Sequence, residues 1–174
     1  MDITTPFSKK RTYSLIAIML LSLAGMYFGI ILTQFHYALL ERQDNPSAEL
    51  LPCTLSDSFN CDLVNSSSYS ELFGIPVAFL GFLFYLFLFL SCIVCFWKKK
   101  YATKILVVLH VIVIVGILFS AYLFYVAYFI IGAICPYCII MDSITIALLI
   151  LTKVAAEKKY GEFLSVFSKF SPVF

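Results

Sequence analysis

The chain alternates long apolar segments with short polar ones. Four apolar segments are each long enough to cross a lipid bilayer, at about residues 13–33, 75–97, 105–134 and 136–152. A membrane-spanning helix needs roughly 20 such residues at about 1.5 Å each. The pattern therefore predicts an all-α integral membrane protein, built as a bundle of four transmembrane helices over residues 13–152.

Composition narrows the class of protein further. Of the 174 residues, 62% are hydrophobic and 13% are charged, whereas a soluble domain is nearer one half and one quarter. This excess of apolar residues excludes a soluble fold, a disordered chain and a nucleic-acid-binding protein. Much of the apolar surface is therefore expected to face membrane lipid.

The distribution of charge predicts the orientation. Eleven of the twelve Lys and Arg residues lie before the first span, between the second and third spans, or after the fourth. The loop over residues 34–74 holds only Arg42 against six acidic residues, a net charge of −5. Because cytoplasmic segments are enriched in Lys and Arg, residues 1–12 and 153–174 are expected inside and the loop outside. The first apolar run is too long for a signal peptide, which favours an uncleaved span.

The six cysteines fall into three pairs along the chain: Cys53 with Cys61, Cys92 with Cys95, and Cys135 with Cys138. The predicted topology places the first and third pairs on the outer face. That face is oxidising if the membrane is a bacterial inner membrane or an endoplasmic-reticulum membrane. The second pair lies on the reducing side, just before Trp97, and is interpreted as packing residues of a helix.

The segment Cys135-Pro136-Tyr137-Cys138 has the features of a redox-active helix start. Proline suits the first helical position, so Cys135 is expected at the N-cap and Cys138 in the first turn. A helix N-terminus stabilises a thiolate there. The alternatives are a permanent disulfide or half of a zinc site. The loop pair would by itself suggest a structural disulfide, but two dithiols on one face can exchange electrons through mixed disulfides.

Asp142 is an ionisable residue inside a predicted span. It follows Cys138 by four positions and therefore shares its helix face. Charged groups at this depth are costly, which makes Asp142 a candidate functional residue. The alternative is a polar pair with Ser143, Thr145 or a group on another span.

Several polar and aromatic residues carry weaker signals. Ser68 and Glu71 have capping-box spacing, which predicts a short helix in the outer loop before the second span. Tyr122, Tyr125 and Tyr128 recur at helical spacing and are interpreted as packing and interfacial residues. His36 and His110 stand apart from each other and from acidic clusters, so no metal site is assigned to them.

The motifs resemble the vitamin K epoxide reductase family, in its bacterial branch. The matching residues are Cys53, Cys61, Val64, Ser67, Tyr69, Phe73-Gly74-Ile75-Pro76, Gly81 and Cys135-Pro136-Tyr137-Cys138. The resemblance implies a four-helix bundle that binds a quinone, ubiquinone or menaquinone, near the C-x-x-C motif. It also implies a thioredoxin-like or DsbA-like protein as electron donor. Only 22 residues follow Thr152, so this partner is expected to be a separate protein.

The resemblance also implies roles for the four outer cysteines. Cys53 would form the mixed disulfide with the partner. Cys61 would then attack the bond at Cys135, and Cys138 would meet the quinone ring.

The residues expected to contact the quinone are Cys138, Asp142, Ser67 and Ser70. The segment from Ser67 to Glu71 could cover the quinone pocket, or could simply lead into the second span. In the vertebrate branch a tyrosine stands four positions after the last cysteine, and Asp142 replaces it here. This favours quinone reduction over epoxide reduction.

The leading hypothesis is therefore a disulfide-generating thiol:quinone oxidoreductase of the bacterial inner membrane, with its four active cysteines on the periplasmic face. Two other classes compete with it. One is a metal-binding or transport protein that uses the outer cysteines as thiolate ligands. The other is a non-catalytic membrane protein with two structural disulfides.

Overall fold

The computed structural model describes residues 9–44, 53–56 and 58–156. It contains five α-helices: α1 (Lys9–Asp44), α2 (Cys61–Asn65), α3 (Val77–Trp97), α4 (Ala102–Tyr125) and α5 (Pro136–Ala156). A π-helical turn, Val126–Ile131, continues α4, and a 3-10 helix covers Ser68–Ser70. The predicted cytoplasmic ends lie largely outside the described residues, as do residues 45–52 and 57 of the predicted outer loop.

Four of the described helices, α1, α3, α4 with its π-helical turn, and α5, are long and apolar enough to span a membrane. The predicted four-helix membrane bundle with a short helix between the first two spans is confirmed. Helix α1 continues past the predicted end at residue 33 to Asp44, and α5 continues past residue 152 to Ala156. The difference arises because an average of hydropathy ends where charged and polar residues begin to appear, while residues with good helix propensity, such as Leu39, Leu40 and Ala155, continue the helix past that point.

Small residues let α1 and α3 approach each other closely. A Cβ atom at Gly25 would lie 2.6 Å from ring atoms of Tyr85, and one at Gly29 would lie 3.1 Å from backbone atoms of Phe82. The two glycines have the G-x-x-x-G spacing that places small residues on one helix face. The apolar part of the bundle core includes Leu15, Ile18, Leu88, Leu106, Leu109, Val113 and Leu148.

The connection between α1 and α3 is a compact cap. Asn60 begins α2, and its side chain accepts a hydrogen bond from the N–H of Leu63. After the 3-10 helix, strands β1 (Glu71–Leu72) and β2 (Ile75–Pro76) form an antiparallel hairpin. Gly74, at φ 76°, stands in the hairpin turn, where its left-handed backbone favours glycine.

The predicted capping box between Ser68 and Glu71 is wrong. Ser67 occupies the N-cap of the 3-10 helix, and it makes no side-chain capping bond. Glu71 lies in β1, and its carboxylate is 2.9 Å from Nε2 of His36. Folding thus brings together two residues that lie 35 positions apart in the chain.

Candidate functional site

The loop cysteines form a disulfide next to the start of α2. Cys53 and Cys61 are bonded, with their Cα atoms 5.7 Å apart. Both side chains are buried. Helix α2 fixes Cys61, since it is the first residue after the Asn60 cap.

The second pair lies where α5 begins, as the sequence predicts. Sγ of Cys135 accepts a hydrogen bond from the N–H of Cys138 at 3.2 Å, which is an N-cap contact. Cys135 and Cys138 are free thiols in this structure. The hydrogen bond from the Cys138 side chain lowers the pKa of the Cys135 thiol below its ordinary value. The backbone N–H groups of Tyr137 and Cys138 lower it further, while burial opposes the shift.

The two pairs meet through one sulfur from each. Sγ of Cys61 lies 3.6 Å from Sγ of Cys135. A disulfide bond is about 2.05 Å long, so the two sulfurs need to approach by only roughly 1.5 Å for a Cys61–Cys135 bond to form as the Cys53–Cys61 bond breaks and Cys53 leaves. The arrangement can therefore carry out thiol–disulfide exchange between the loop and the start of α5.

A backbone contact holds the two segments side by side. Phe59 forms a parallel β-bridge with Ile134. The N–H of Asn60 donates to the carbonyl of Ile134 at 3.0 Å, and the N–H of Ile134 donates to the carbonyl of Ser58 at 2.8 Å. Because these residues immediately precede Cys61 and Cys135, the bridge places their sulfurs in contact.

A cavity of about 250 Å³ lies beside the cysteines, between α3, α4, α5 and the cap. Its walls are mostly apolar, and they include Leu32, Val64, Leu80, Phe84, Phe119 and Leu123. All four residues predicted to contact the quinone line this cavity: Cys138, Asp142, Ser67 and Ser70. Cys135 lines the cavity too, so one of the two cysteines in the sulfur contact also faces the cavity.

Asp142 makes a polar pair with another span and also faces the cavity. The hydroxyl of Ser120 on α4 donates to Oδ1 of Asp142, and both residues line the cavity. The predicted polar pair with a group on another span is therefore confirmed, and the role of Asp142 in binding a quinone stays a prediction. Ser120 was not identified from the sequence, since a serine on another helix gives no local sign of its partner.

Tyr85 is a second residue that sequence reasoning missed. Its hydroxyl donates to the carbonyl of Met141 at 2.8 Å and lies 2.8 Å from Oγ1 of Thr145. These contacts fix the turn of α5 that carries Asp142. A signal was present in the sequence, because a tyrosine in the middle of a span must find a polar partner for its hydroxyl.

The core cysteines and the three tyrosines at helical spacing do not line the cavity. Cys92 and Cys95 are fully buried in the bundle core. Tyr122, Tyr125 and Tyr128 are about half exposed on the bundle surface. Within residues 9–44, 53–56 and 58–156, no three or more His, Cys, Asp or Glu side chains are grouped so as to hold a metal ion.

A four-helix membrane bundle with two cysteine pairs in sulfur contact beside an apolar cavity defines a membrane redox protein. A family model for the vitamin K epoxide reductase family matches residues 16–153. The chain belongs to this family, and it is an oxidoreductase of the membrane. Proteins of the family generally use quinones as electron acceptors and work with thioredoxin-like partners. Among curated proteins, none matches the chain.

Proposed function

We propose that this protein is a thiol:quinone oxidoreductase that generates disulfides in a separate thioredoxin-like or DsbA-like protein. Two electrons pass from that partner to Cys53 and Cys61, then to Cys135 and Cys138, and on to a quinone. The observation that carries the proposal is the 3.6 Å contact between the sulfurs of Cys61 and Cys135, with Cys138 on the cavity wall.

The first stage reduces the loop disulfide. A thiolate of the partner attacks Cys53, forms a mixed disulfide and releases Cys61 as a thiolate. The second thiolate of the partner attacks its own sulfur in the mixed disulfide and releases Cys53. Each attack forms one S–S bond and breaks one, and the two thiol protons of the partner pass to water.

The second stage transfers the electrons to α5. The Cys61 thiolate attacks the Cys135 sulfur of the Cys135–Cys138 disulfide, and Cys138 leaves as a thiolate. Cys53 then attacks Cys61 and releases Cys135, which restores the loop disulfide. Cys135 is a good leaving group in this last step, because the helix N-terminus and the Cys138 side chain stabilise its thiolate. The products have the bonding of this structure, with Cys53–Cys61 oxidised and α5 reduced.

The cavity suits a quinone ring. Small-molecule pockets are mostly apolar with a few convergent polar groups, and about 250 Å³ is near the lower end of their range. Asp142, Ser67 and Ser70 supply the polar groups and Cys138 the thiol. Ubiquinone or menaquinone, when bound, supplies the capacity to accept two electrons and two protons. Asp142, in place of the vertebrate tyrosine, favours quinone over epoxide as the oxidant.

We further propose that the membrane is a bacterial inner membrane, with both termini cytoplasmic and the four cysteines periplasmic. Nε of Arg11, near the start of α1, donates to the carbonyl of Ala155 near the end of α5 at 3.1 Å. These two helix ends therefore lie at the same end of the bundle, away from the cap. The turn at Lys98–Lys100 also follows α3 at that end, which supports the positive-inside orientation.

The proposal is tested by quinol formation in detergent. The purified protein is supplied with a reduced thioredoxin-like partner and either a ubiquinone or a menaquinone analogue. We expect Cys138→Ala to abolish turnover, Cys53→Ala to abolish coupling to the partner, and a Cys92→Ala/Cys95→Ala control to retain both. Folded protein with intact disulfides that reduces no quinone with any thiol donor would refute the proposal.

The sulfur contact is tested separately by trapping. In the control background that lacks the core cysteines, Cys53→Ala/Cys138→Ala leaves Cys61 and Cys135 as the relay thiols. We expect diamide to join them rapidly into a disulfide, seen by mass spectrometry. The matched Cys53→Ala/Cys135→Ala protein is expected to form its disulfide more slowly. Equal rates in the two proteins would contradict the exchange route.

A further inference from the structure

His36 is a buried histidine near the end of α1 that faces the cap. Its side chain is 5% exposed, and Nε2 lies 2.9 Å from Oε1 of Glu71, whose side chain is 39% exposed. Its Nδ1 lies 3.0 Å from the carbonyl oxygen of Asn65. His36 therefore connects the membrane helix to two points of the cap segment, defined here as residues 64–71.

The cap segment is attached to α1 by a further bond. The side-chain amide of Asn65 donates to the carbonyl of Leu32 at 3.2 Å, one helical turn before His36. Asn65 is thus held by α1 through both its side chain and its carbonyl. These bonds join residues more than 25 positions apart, so they determine where the cap sits on the bundle.

Both ring nitrogens of His36 have partners in the cap segment. Nδ1 faces the carbonyl oxygen of Asn65, and Nε2 faces the carboxyl group of Glu71. The hydroxyl of Ser70 lies 3.4 Å from Nδ1. A side chain with polar atoms at only one of the two ring positions can therefore replace only part of these contacts.

The cap segment separates two cavities. On one side, Asn65, Ser67 and Ser70 line the cavity beside Cys138. On the other side, the same three residues line a polar cavity of about 170 Å³ together with His36 and Glu71. The Ser70 hydroxyl donates to the carbonyl of Ser67 at 2.7 Å. The position of the cap segment therefore affects the walls of both cavities.

We propose that His36 is a positioning residue for the quinone, an inference that rests on the proposed function. Through its contacts with Asn65 and Glu71, the ring holds the cap segment on α1 and keeps Ser67 and Ser70 in the wall of the quinone cavity. Among the described residues, Glu71 is the titratable group that lines the smaller cavity with His36. The neighbouring Tyr37 packs its ring edge against the imidazole.

The test separates binding from turnover. We would measure KM for a quinone analogue and kcat for the wild type and for two variants of His36. His36→Asn keeps a donor near Nδ1 and His36→Gln keeps one near Nε2. Each is expected to raise KM about three- to tenfold, the factor for one hydrogen bond, and to leave kcat close to the wild-type value.

Two further variants complete the design. Glu71→Gln keeps the shape of the side chain but removes its charge, so we expect a smaller rise in KM than in the His36 variants. His110→Asn is the matched control, because His110 is also buried but bonds Thr152 and lines neither cavity. The control is expected to keep the wild-type KM. An unchanged KM in all His36 and Glu71 variants, with normal wild-type turnover, would overturn this inference alone. Absence of quinone reduction by the wild type would instead refute the proposed function.

Discussion

Gly25 is the position where the packing of the bundle should be least tolerant of added volume. An alanine there would place its Cβ 2.6 Å from three ring atoms of Tyr85. The side chain is almost fully buried, and its hydroxyl is held by Met141 and Thr145 on α5. Either α1 must move away from α3, or Tyr85 must rotate and lose its contacts with Met141 and Thr145.

The expected cost follows from these contacts. Overpacking of a well-packed core costs about 1–3 kcal/mol, and each hydrogen bond of the Tyr85 hydroxyl is worth about 0.5–1.5 kcal/mol. The alanine recovers about 1 kcal/mol through its higher helix propensity. We therefore expect Gly25→Ala to destabilise the protein by about 3 kcal/mol, a fall in Tm of roughly 6–12 °C for a chain of this size.

The measurement is thermal unfolding in detergent, with Gly81→Ala as the matched control. A Cβ at Gly81 would meet only the flexible end of Met141, at 3.1 Å, so the control is expected to stay near the wild-type Tm. Tyr85→Phe isolates the hydrogen bonds and should show part of the loss. A Gly25→Ala protein that melts within about 2 °C of the wild type would refute the close packing of α1 on Tyr85.

Three further predictions concern the redox site. Cys92→Ala/Cys95→Ala should lower Tm but leave the turnover per folded protein unchanged, because both thiols are buried in the core. A loss of turnover would show that these thiols take part in electron transfer. Asp142→Leu should raise KM for the quinone about tenfold, the worth of one charged hydrogen bond, and Asp142→Asn should lie closer to the wild type. Equal KM values in these proteins would show that Asp142 does not bind the quinone. The pKa of Cys135 is lowered chiefly by the Cys138 side chain, so its thiolate persists below the pH at which ordinary cysteines ionise. The pH midpoint for its alkylation, followed by mass spectrometry, should therefore rise in Cys138→Ala, and an unchanged midpoint would contradict this cause.

The features that were predictable from the sequence are those that depend on neighbouring residues. Four spans follow from hydropathy averaged over about 20 positions. The start of α5 follows from Pro136 between two cysteines, because proline suits the first helical turn and the N-cap precedes it. The spacing of Gly25 and Gly29 was also present in the sequence, but spacing does not say which helix packs against it.

The contacts that could not be predicted join residues far apart in the chain. Ser120 and Asp142 are 22 positions apart, and no local pattern links a serine on one helix with a carboxylate on another. The capping box at Ser68 failed for a related reason. An exposed cap is worth about 1 kcal/mol, and Glu71 instead pairs with a buried histidine that would otherwise lack a partner for Nε2. A tertiary contact thus outweighed a local motif.

The meeting of Cys61 and Cys135 depends on backbone pairing. One parallel bridge, Phe59 with Ile134, aligns the loop with the residue before Cys135. Strand residues advance about 3.3 Å each and alternate faces. If the pairing slipped by one residue, the Cys61 sulfur would move by about 3.3 Å and would point to the other face, away from Cys135. Backbone hydrogen bonds form with almost any side chain, so this register leaves no signature in the sequence. The residue pattern can identify which cysteines are chemically suited to exchange, but the fold determines which two sulfurs touch.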